Sequence, residues 1–244
     1  MERMLLIAFS FLLTPVLTAH GARVFKTDSF STSSGDLTIT FIGHASLIFG
    51  FEDKIIHVDP FGELADYSRL PDADVVLITH DHFDHLDLHA LEKIRKAGTI
   101  IVSDRASATR IKGAVVMGNG DSGTAGPVKV EAVPAYNMVH MRSKGVPFHP
   151  KGIGNGYIVT FGNKRVYVAG DTENIPEMRN LKDIDIAFLP MNLPYTMTPE
   201  MVADAALMFH PKVLYPYHYG ETDPSRIETL LKGTGIEVRI RLMK

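Results

Sequence analysis

The sequence predicts an α/β fold in which two facing mixed sheets are flanked by helices. The 244-residue chain is 45% hydrophobic and 22% charged, so it has ample apolar material for a large core. Short strand patterns recur in both halves of the chain, and each half also carries a helix pattern. Because no low-complexity segment separates the halves, we expect a single domain over residues 22–244.

The composition excludes several classes of protein. The chain has 25 lysines and arginines against 28 aspartates and glutamates, a net charge of −3, so we expect no nucleic-acid partner. It has no cysteine, which excludes disulfides, thiolate metal sites and cysteine nucleophiles. Neither the charge nor the composition indicates an oligomeric state.

Residues 1–21 have the pattern of a secretory signal peptide. Arg3 precedes an apolar run over residues 5–17, and small residues that suit cleavage follow at Ala19 and Gly21. The run is shorter than the about 20 residues that a membrane-spanning helix needs. We therefore expect a periplasmic or secreted protein with no membrane span after processing, and the cleavage position stays open.

The strand patterns of the first half begin after a polar stretch over residues 29–35. Short segments rich in β-branched and aromatic residues predict an antiparallel meander over residues 37–42, 46–49 and 54–58. An apolar run over residues 75–79 predicts a buried strand that stops at His80. In the second half, the same criteria predict strands over residues 128–133, 156–161, 164–169, 184–189 and 213–217.

Two segments carry helix start signals. Asp87 is placed to cap a helix that ends at Gly98, and residues 99–102 predict the strand that follows. Thr198 precedes Pro199, a combination typical of a cap and the first position of a helix. One helix in each half suits an outer layer on each sheet.

The strongest chemical signal is the sequence HDHFDH at residues 80–85, directly after a predicted buried strand. Residues two apart in an extended turn point to the same side, so His80 and His82 can face one cation. Asp84 and His85 lie at the other edge of the turn and can face a second cation. Imidazoles and carboxylates without thiolates favour zinc, iron or manganese.

Further ligands must come from other parts of the chain. Asp171 and His218 each follow a predicted strand, and the loop between two predicted strands contains His140 and His149. Side chains at the ends of strands on one edge of a sandwich would converge. The sequence therefore predicts one site built from several strand ends.

Together these motifs resemble the metallo-β-lactamase superfamily of metal-dependent hydrolases. The resemblance covers nearly the whole mature chain, including FIGHAS at residues 41–46, VDP at 58–60 and YHYG at 217–220. Further stretches are similar to the branch of ascorbate-phosphate lactonases and N-acyl-phosphatidylethanolamine phospholipases: PAYN at 134–137, FHPK at 148–151, AGDTE at 169–173 and YTM at 195–197. The fold that the resemblance implies is a four-layer αββα sandwich.

The resemblance also implies two divalent metal ions per chain, with zinc favoured over manganese or iron. The implied ligands of the first ion are His80, His82 and His149. Those of the second ion are Asp84, His85 and His218, and the carboxylate of Asp171 would bridge the two ions. We prefer His149 to His140 as the loop ligand because it lies in FHPK. Asn137 stands where many superfamily members have a histidine, so a single-metal site is the alternative if neither loop histidine reaches.

These features predict an exported hydrolase that cleaves a phosphodiester or lactone-type ester of a small or lipid-like molecule. The reaction would use a hydroxide activated by two metal ions, with Asp84 as the candidate proton acceptor. The alternatives are a β-lactam or other amide hydrolase and a metal-binding scaffold without turnover. His44 and Asp59 suit either a structural role or a place beside the site, and residues 138–154 are expected to cover the pocket mouth.

Overall fold

Each half of the chain forms one seven-stranded sheet, and the two sheets pack face to face in the computed structural model. The structure describes residues 24–244, so the predicted signal peptide lies outside the described residues. The expected arrangement of two mixed sheets with helices outside them is confirmed.

The first sheet contains the strands β1 (Lys26–Thr32), β2 (Gly35–Gly43), β3 (Ser46–Phe51), β4 (Lys54–Val58), β5 (Ala73–Ile78), β6 (Arg95–Ser103) and β7 (Val115–Val116). They lie in chain order across the sheet. The pairs from β1 to β4 are antiparallel, and those from β4 to β7 are parallel.

The second half contains β8 (Ser122–Ala125), β9 (Val128–Ala135), β10 (Met141–Ser143), β11 (Val146–Pro147), β12 (Gly154–Phe161), β13 (Lys164–Val168), β14 (Ile186–Pro190), β15 (Val213–Tyr217) and β16 (Glu237–Val238). The second sheet has the order β16-β15-β14-β13-β12-β9-β8, while β10 and β11 form a separate hairpin. Its pairs from β8 to β13 are antiparallel, and those from β13 to β16 are parallel. Each sheet therefore has one antiparallel and one parallel part.

The α-helices are α1 (Leu88–Ile94), α2 (Arg105–Ala108), α3 (Pro199–Phe209) and α4 (Arg226–Leu230), and short 3-10 turns span Tyr67–Arg69 and Pro176–Asn180. As the sequence predicts, Asp87 caps α1 and Thr198 caps α3 through side-chain hydrogen bonds to backbone N–H groups. Within residues 24–244, no helix is long and apolar enough to cross a membrane.

Side-chain alternation along β5 supplies two apolar layers. Val75 and Leu77 belong to the core between the sheets, whereas Val76 and Ile78 pack with α1 on the other face. On the second sheet, Tyr167 packs edge-to-face against Phe209 of α3, with 5.7 Å between the ring centres. The layers thus follow the order helix, sheet, sheet, helix.

Two of the differences from the sequence prediction have a clear physical reason. The polar stretch over residues 29–35 contains most of β1, which pairs with β2 along its whole length. Because β1 is an edge strand with largely exposed side chains, it has no apolar alternation that could reveal it. Helix α1 ends at Ile94 and not at Gly98, because the chain from Arg95 onward pairs with β5 as β6.

Candidate metal centre

The predicted site residues lie just beyond the carboxyl ends of parallel strands from both sheets. Asp59 directly follows β4 and His218 directly follows β15, while His80 and Asp171 lie a short step beyond β5 and β13. Ligand sites of open sheets form at such carboxyl ends. All of the side chains that the sequence proposes as ligands belong to groups of His and Asp that could hold a metal ion.

The first group of potential ligands consists of His80, His82 and His149, with ligand atoms within 4.8 Å of one another. Asp171 faces this group with one carboxylate oxygen. Its Oδ2 lies 3.2 Å from Nε2 of His149 and 4.0 Å from Nε2 of His80. The turn after β5 and the loop before β12 therefore supply the histidines, and β13 supplies the carboxylate.

The second group contains Asp84, His85 and His218. Oδ2 of Asp84 lies 3.6 Å from Nε2 of His218 and 3.9 Å from Nε2 of His85. Oδ1 of Asp171 lies 3.4 Å from Nε2 of His85 and 3.6 Å from Nε2 of His218. The two oxygens of Asp171 consequently face different groups, as a bridging carboxylate would.

Several converging polar atoms in these groups are buried without a hydrogen bond to any described residue: Nε2 of His80, His85, His149 and His218, and Oδ1 of Asp171. Although Nε2 of His149 lies close to Asp171, the contact lacks hydrogen-bond geometry. Buried polar atoms normally have partners, so the lack of partners for these atoms among the described residues needs an explanation. Imidazole nitrogens and carboxylate oxygens that converge in this way fit divalent metal ions.

Asp59 fixes the orientation of His85 directly and that of His80 through Thr79. The carboxylate is fully buried and accepts hydrogen bonds from N and Oγ1 of Thr79 at 2.8 and 2.7 Å, and from Nδ1 of His85 at 2.8 Å. Thr79 Oγ1 in turn accepts from Nδ1 of His80 at 3.0 Å. With Nδ1 protonated in both rings, each Nε2 presents a lone pair to the site.

Asn137 performs the same task for His149. Its Oδ1 accepts hydrogen bonds from the backbone N of His149 at 2.9 Å and from its Nδ1 at 2.6 Å. Nε2 of His149 is thereby turned toward His80 and His82. Asn137, which departs from the superfamily pattern, therefore orients His149. The sequence did not reveal this role because the two residues are 12 positions apart.

Buried Glu173 holds the loop that contains Asn137. Its carboxylate accepts hydrogen bonds from the backbone N of Met138, Val139 and His140 at 2.6 to 2.7 Å, and from Nδ2 of Asn137 at 3.1 Å. Nδ1 of His140 also lies 2.8 Å from this carboxylate. His140 is therefore directed to Glu173, and it belongs to neither ligand group.

His44 joins the second group from the end of β2. Its Nε2 lies 2.9 Å from Oδ2 of Asp84, and its ring centre lies 3.8 Å from that of His218. His44, Asp59 and His218 all have positive φ angles, of 51°, 43° and 45°. Non-glycine residues rarely adopt this conformation, and such strain is concentrated at functional sites.

Burial and neighbouring charges set the protonation of the site. Burial raises the pKa of Asp171, but His218 and His85 outweigh it and hold this pKa well below the ordinary value. Burial and the neighbouring His85 keep the pKa of His80 well below its ordinary value. Burial also lowers the pKa of His85, but Asp171 and Asp59 outweigh it and raise this pKa well above the ordinary value. Metal ions bind ionised carboxylates and neutral imidazoles. A bound cation would therefore take the place of the proton that charges His85.

A cavity of about 350 Å³ opens onto the site. Besides site residues, it is lined by Phe83, Arg142, Phe148, Asn192 and Tyr195. The rings of Phe148 and Tyr195 meet edge-to-face with 5.0 Å between their centres. Arg142 and Phe148 come from residues 138–154, the segment that the sequence places at the pocket mouth.

A sequence model of the Beta-lactamase superfamily domain matches residues 38–218. The chain belongs to the metallo-β-lactamase superfamily. Among its relatives, a UPF0173 metal-dependent hydrolase from Pelotomaculum thermopropionicum is 30% identical over 220 residues, which cover 84% of this chain and 96% of the relative. One from Archaeoglobus fulgidus is 29% identical over 225 residues, which cover 85% of this chain and 96% of the relative.

Solved structures of similar proteins support the same assignment. A protein from Parabacteroides distasonis, described as a metal-dependent hydrolase, is 52% identical with a TM-score of 0.87, and the match covers 91% of this chain and all of that one. Igni18, a metallo hydrolase from Ignicoccus hospitalis, is 27% identical with a TM-score of 0.68, covering 84% and 94% of the two chains. The predicted superfamily, its sandwich fold and the class of metal-dependent hydrolases are confirmed. The narrower branch stays a prediction.

Proposed function

We propose that this metal-dependent hydrolase cleaves a phosphodiester or a lactone-type ester with a binuclear metal centre. The observation that supports it best is the position of Asp171. Its two oxygens face two separate ligand groups, and its Oδ1 is buried without a hydrogen-bond partner among the described residues. One metal ion would leave one of these groups unused.

In this proposal the ligand sets are those expected from the sequence: His80, His82 and His149 for one ion, Asp84, His85 and His218 for the other, and Asp171 for both. Two bound divalent cations would lower the pKa of a water molecule toward ~7 and polarise the bond to be broken. Nitrogen and oxygen ligands without sulfur favour zinc, with manganese or iron as alternatives.

The protein's own residues would keep the site competent for this chemistry. Asp59 holds the imidazole of His85, and Asn137 that of His149, in the tautomer that leaves Nε2 free. Asp84, which we propose as the proton acceptor, is held by Nε2 of His44 at 2.9 Å and borders the cavity. Burial raises the pKa of Asp84, but its contacts with His218 and His44 outweigh it and lower this pKa.

The choice of bond rests on two features. The stretches PAYN, FHPK, AGDTE and YTM resemble the lactonase and phospholipase branch, and the cavity of about 350 Å³ suits a small ester or the head of a lipid-like one. The chain also lacks the cysteine that several β-lactamase branches place in the second metal site.

The test is hydrolysis by the metal-loaded protein of an aryl phosphodiester, a simple lactone and a β-lactam, each with a chelated control. We expect turnover of the phosphodiester or the lactone that chelator abolishes. Turnover of the β-lactam alone would establish the amide-hydrolase alternative. Two bound metals without turnover of any class would favour the scaffold, and turnover that survives chelation would contradict the metal mechanism.

We further propose that the protein is exported, since residues 1–21 have the pattern of a signal peptide. Expression of the full chain in a Gram-negative host, followed by fractionation and N-terminal sequencing, tests this. We expect periplasmic protein that begins after Ala19 or Gly21. Cytoplasmic protein that keeps its first residues would contradict export and would leave the proposed chemistry unaffected.

A further inference from the structure

One cationic side chain borders the catalytic cavity. Arg142 lies on β10, in the hairpin between Asn137 and His149, and it is the one arginine or lysine among the described residues that line this cavity. Its side chain is exposed and makes no ion pair or hydrogen bond with any residue from 24 to 244. Its guanidinium is thus free to bind a molecule that enters the cavity.

The carboxylates of the cavity do not neutralise Arg142. Asp84 and Asp171 also line it, but their oxygens face the histidine groups. Divalent ions held by those groups would make the cavity still more positive. A cavity with one sign of charge and low-dielectric walls concentrates ligands of the opposite sign. A guanidinium also matches the geometry of a phosphate or carboxylate through paired N–H donors.

The rest of the lining is suited to an apolar group. Phe148 and Tyr195 form an aromatic wall, and Phe83 is 72% exposed at the same cavity. Ligand cavities are typically lined by aromatic side chains with a few polar groups among them, as this one is. Asn192 adds an amide that can donate or accept a hydrogen bond.

We propose that Arg142 binds an anionic group of the substrate, so that the substrate is an anionic ester with an apolar portion beside the negative charge. The proposal rests on the proposed function and narrows its substrate class. The anionic group is a phosphate or a carboxylate, which share the recognition chemistry of a guanidinium. Arg142 is a specificity residue in this proposal and takes no part in metal binding.

Binding of small aromatic probes to the metal-loaded protein tests this without any need for turnover. Calorimetric titration with phenyl phosphate, benzoate and benzyl alcohol compares the two anions with a neutral molecule of similar size. We expect an anion to bind wild type about tenfold or more tightly than Arg142→Ala, with benzyl alcohol equally weak in both. The anion that loses more affinity identifies phosphate or carboxylate.

Lys144→Ala is the matched control, because Lys144 is an exposed cation on the same hairpin that does not line the cavity. We expect it to bind the probes like wild type, and Arg142→Lys to recover part of the affinity. Equal anion binding by the two alanine variants, or no anion binding by wild type, would overturn the proposal. An altered metal content of Arg142→Ala would also overturn it, by making Arg142 structural.

Kinetics separate this inference from the proposed function. For any ester class that is hydrolysed, Arg142→Ala should raise KM for a substrate with a remote negative charge and leave kcat nearly unchanged. A matched neutral ester should keep both constants. Anion binding without turnover of any ester would contradict the proposed hydrolysis and support the anion site. Turnover with no preference for anionic esters would support the proposed hydrolysis and contradict the anion site.

Discussion

At the residue scale, two short polar side chains orient three histidines of the site, namely His80, His85 and His149. Asn137 accepts two hydrogen bonds from His149, and Asp59 accepts one from His85 and two from Thr79. The contacts to Nδ1 of His85 and of His149 fix these imidazoles with Nε2 toward the site. Metal-binding histidines usually need such partners, which set their tautomer and their angle.

The choice between the two loop histidines is the sharpest prediction at this scale. If the proposed binuclear centre forms, His149→Ala should lose one of its two metal ions and reduce turnover by about 100-fold or more, because it removes a proposed ligand. His140→Ala should keep both ions and turnover within a few-fold of wild type, since His140 faces Glu173. Metal analysis and kinetics of both variants give the answer, and the reverse pattern would contradict the assignment.

The orienting role of Asp59 predicts a second effect. Asp59→Asn should weaken metal affinity by about 10- to 100-fold. An amide cannot accept hydrogen bonds from all three groups that donate to the Asp59 carboxylate, which are N and Oγ1 of Thr79 and Nδ1 of His85. Competition with a chromophoric chelator measures this. Asp66→Asn is the control, since Asp66 caps a surface turn through Ser68 and should not affect metal affinity. Equal affinities of the two variants would show that Asp59 does not act on the metal.

The sequence identified the side chains that converge at the site but not the residues that orient them. The converging side chains were predictable because HDHFDH is a rare pattern and because Asp171 and His218 follow apolar runs. The partnership of Asn137 with His149 was not predictable. It depends on how the hairpin between them folds back, and no periodic pattern encodes that path.

At the element scale, the parallel part of each sheet determines where the site forms. β4 and β5 end beside each other in one sheet, and β13 to β15 do so in the other. The apolar runs predicted these strands because buried parallel strands have little polar character. The edge strand β1 and the end of α1 were missed, because pairing with a neighbour and not local pattern decides them.

His57 on β4 predicts a pH dependence of stability. It is 1% exposed, its Nε2 donates to the carbonyl of Pro71 at 3.0 Å, and burial lowers its pKa from 6.5 to about 4. The unfolded chain therefore binds a proton below about pH 6.5 that the folded chain accepts only below about pH 4. Above about pH 6.5, His57 does not change the free energy of unfolding. As the pH falls from about 6.5 to about 4, His57 lowers that free energy, by about 2 kcal/mol at pH 5.

Urea unfolding at pH 7.5 and pH 5 of wild type and His57→Gln measures this contribution. We expect the variant to lose less stability than wild type between the two values, since glutamine does not titrate. The comparison cancels the titration of the metal-site histidines, which both proteins share. An identical pH dependence in both would show that His57 is not responsible.

At the scale of the whole molecule, the site joins the two halves of the chain. The first half of the chain supplies the residues that follow β5, and the second half supplies the others: His80, His82, Asp84 and His85, and then His149, Asp171 and His218. Metal ions bound here would connect the two sheets at one edge. A ligand that binds the folded state stabilises it according to its affinity.

Removal of metal should therefore lower the thermal stability of the entire domain. At a metal concentration of about 100 times Kd, binding contributes about 2.7 kcal/mol, which corresponds to a Tm shift of roughly 5–10 °C in a domain of this size. Calorimetry with and without chelator measures the shift, and added zinc should reverse it. An unchanged Tm on removal of bound metal would contradict a centre that joins the sheets.

The central claim is a binuclear centre bridged by Asp171, and anomalous X-ray diffraction from crystals of the metal-loaded protein tests it most directly. We expect two anomalous peaks on opposite sides of the Asp171 carboxylate. One should be bound by His80, His82 and His149, and the other by Asp84, His85 and His218. A single peak, or a peak bound by His140 in place of His149, would contradict the account.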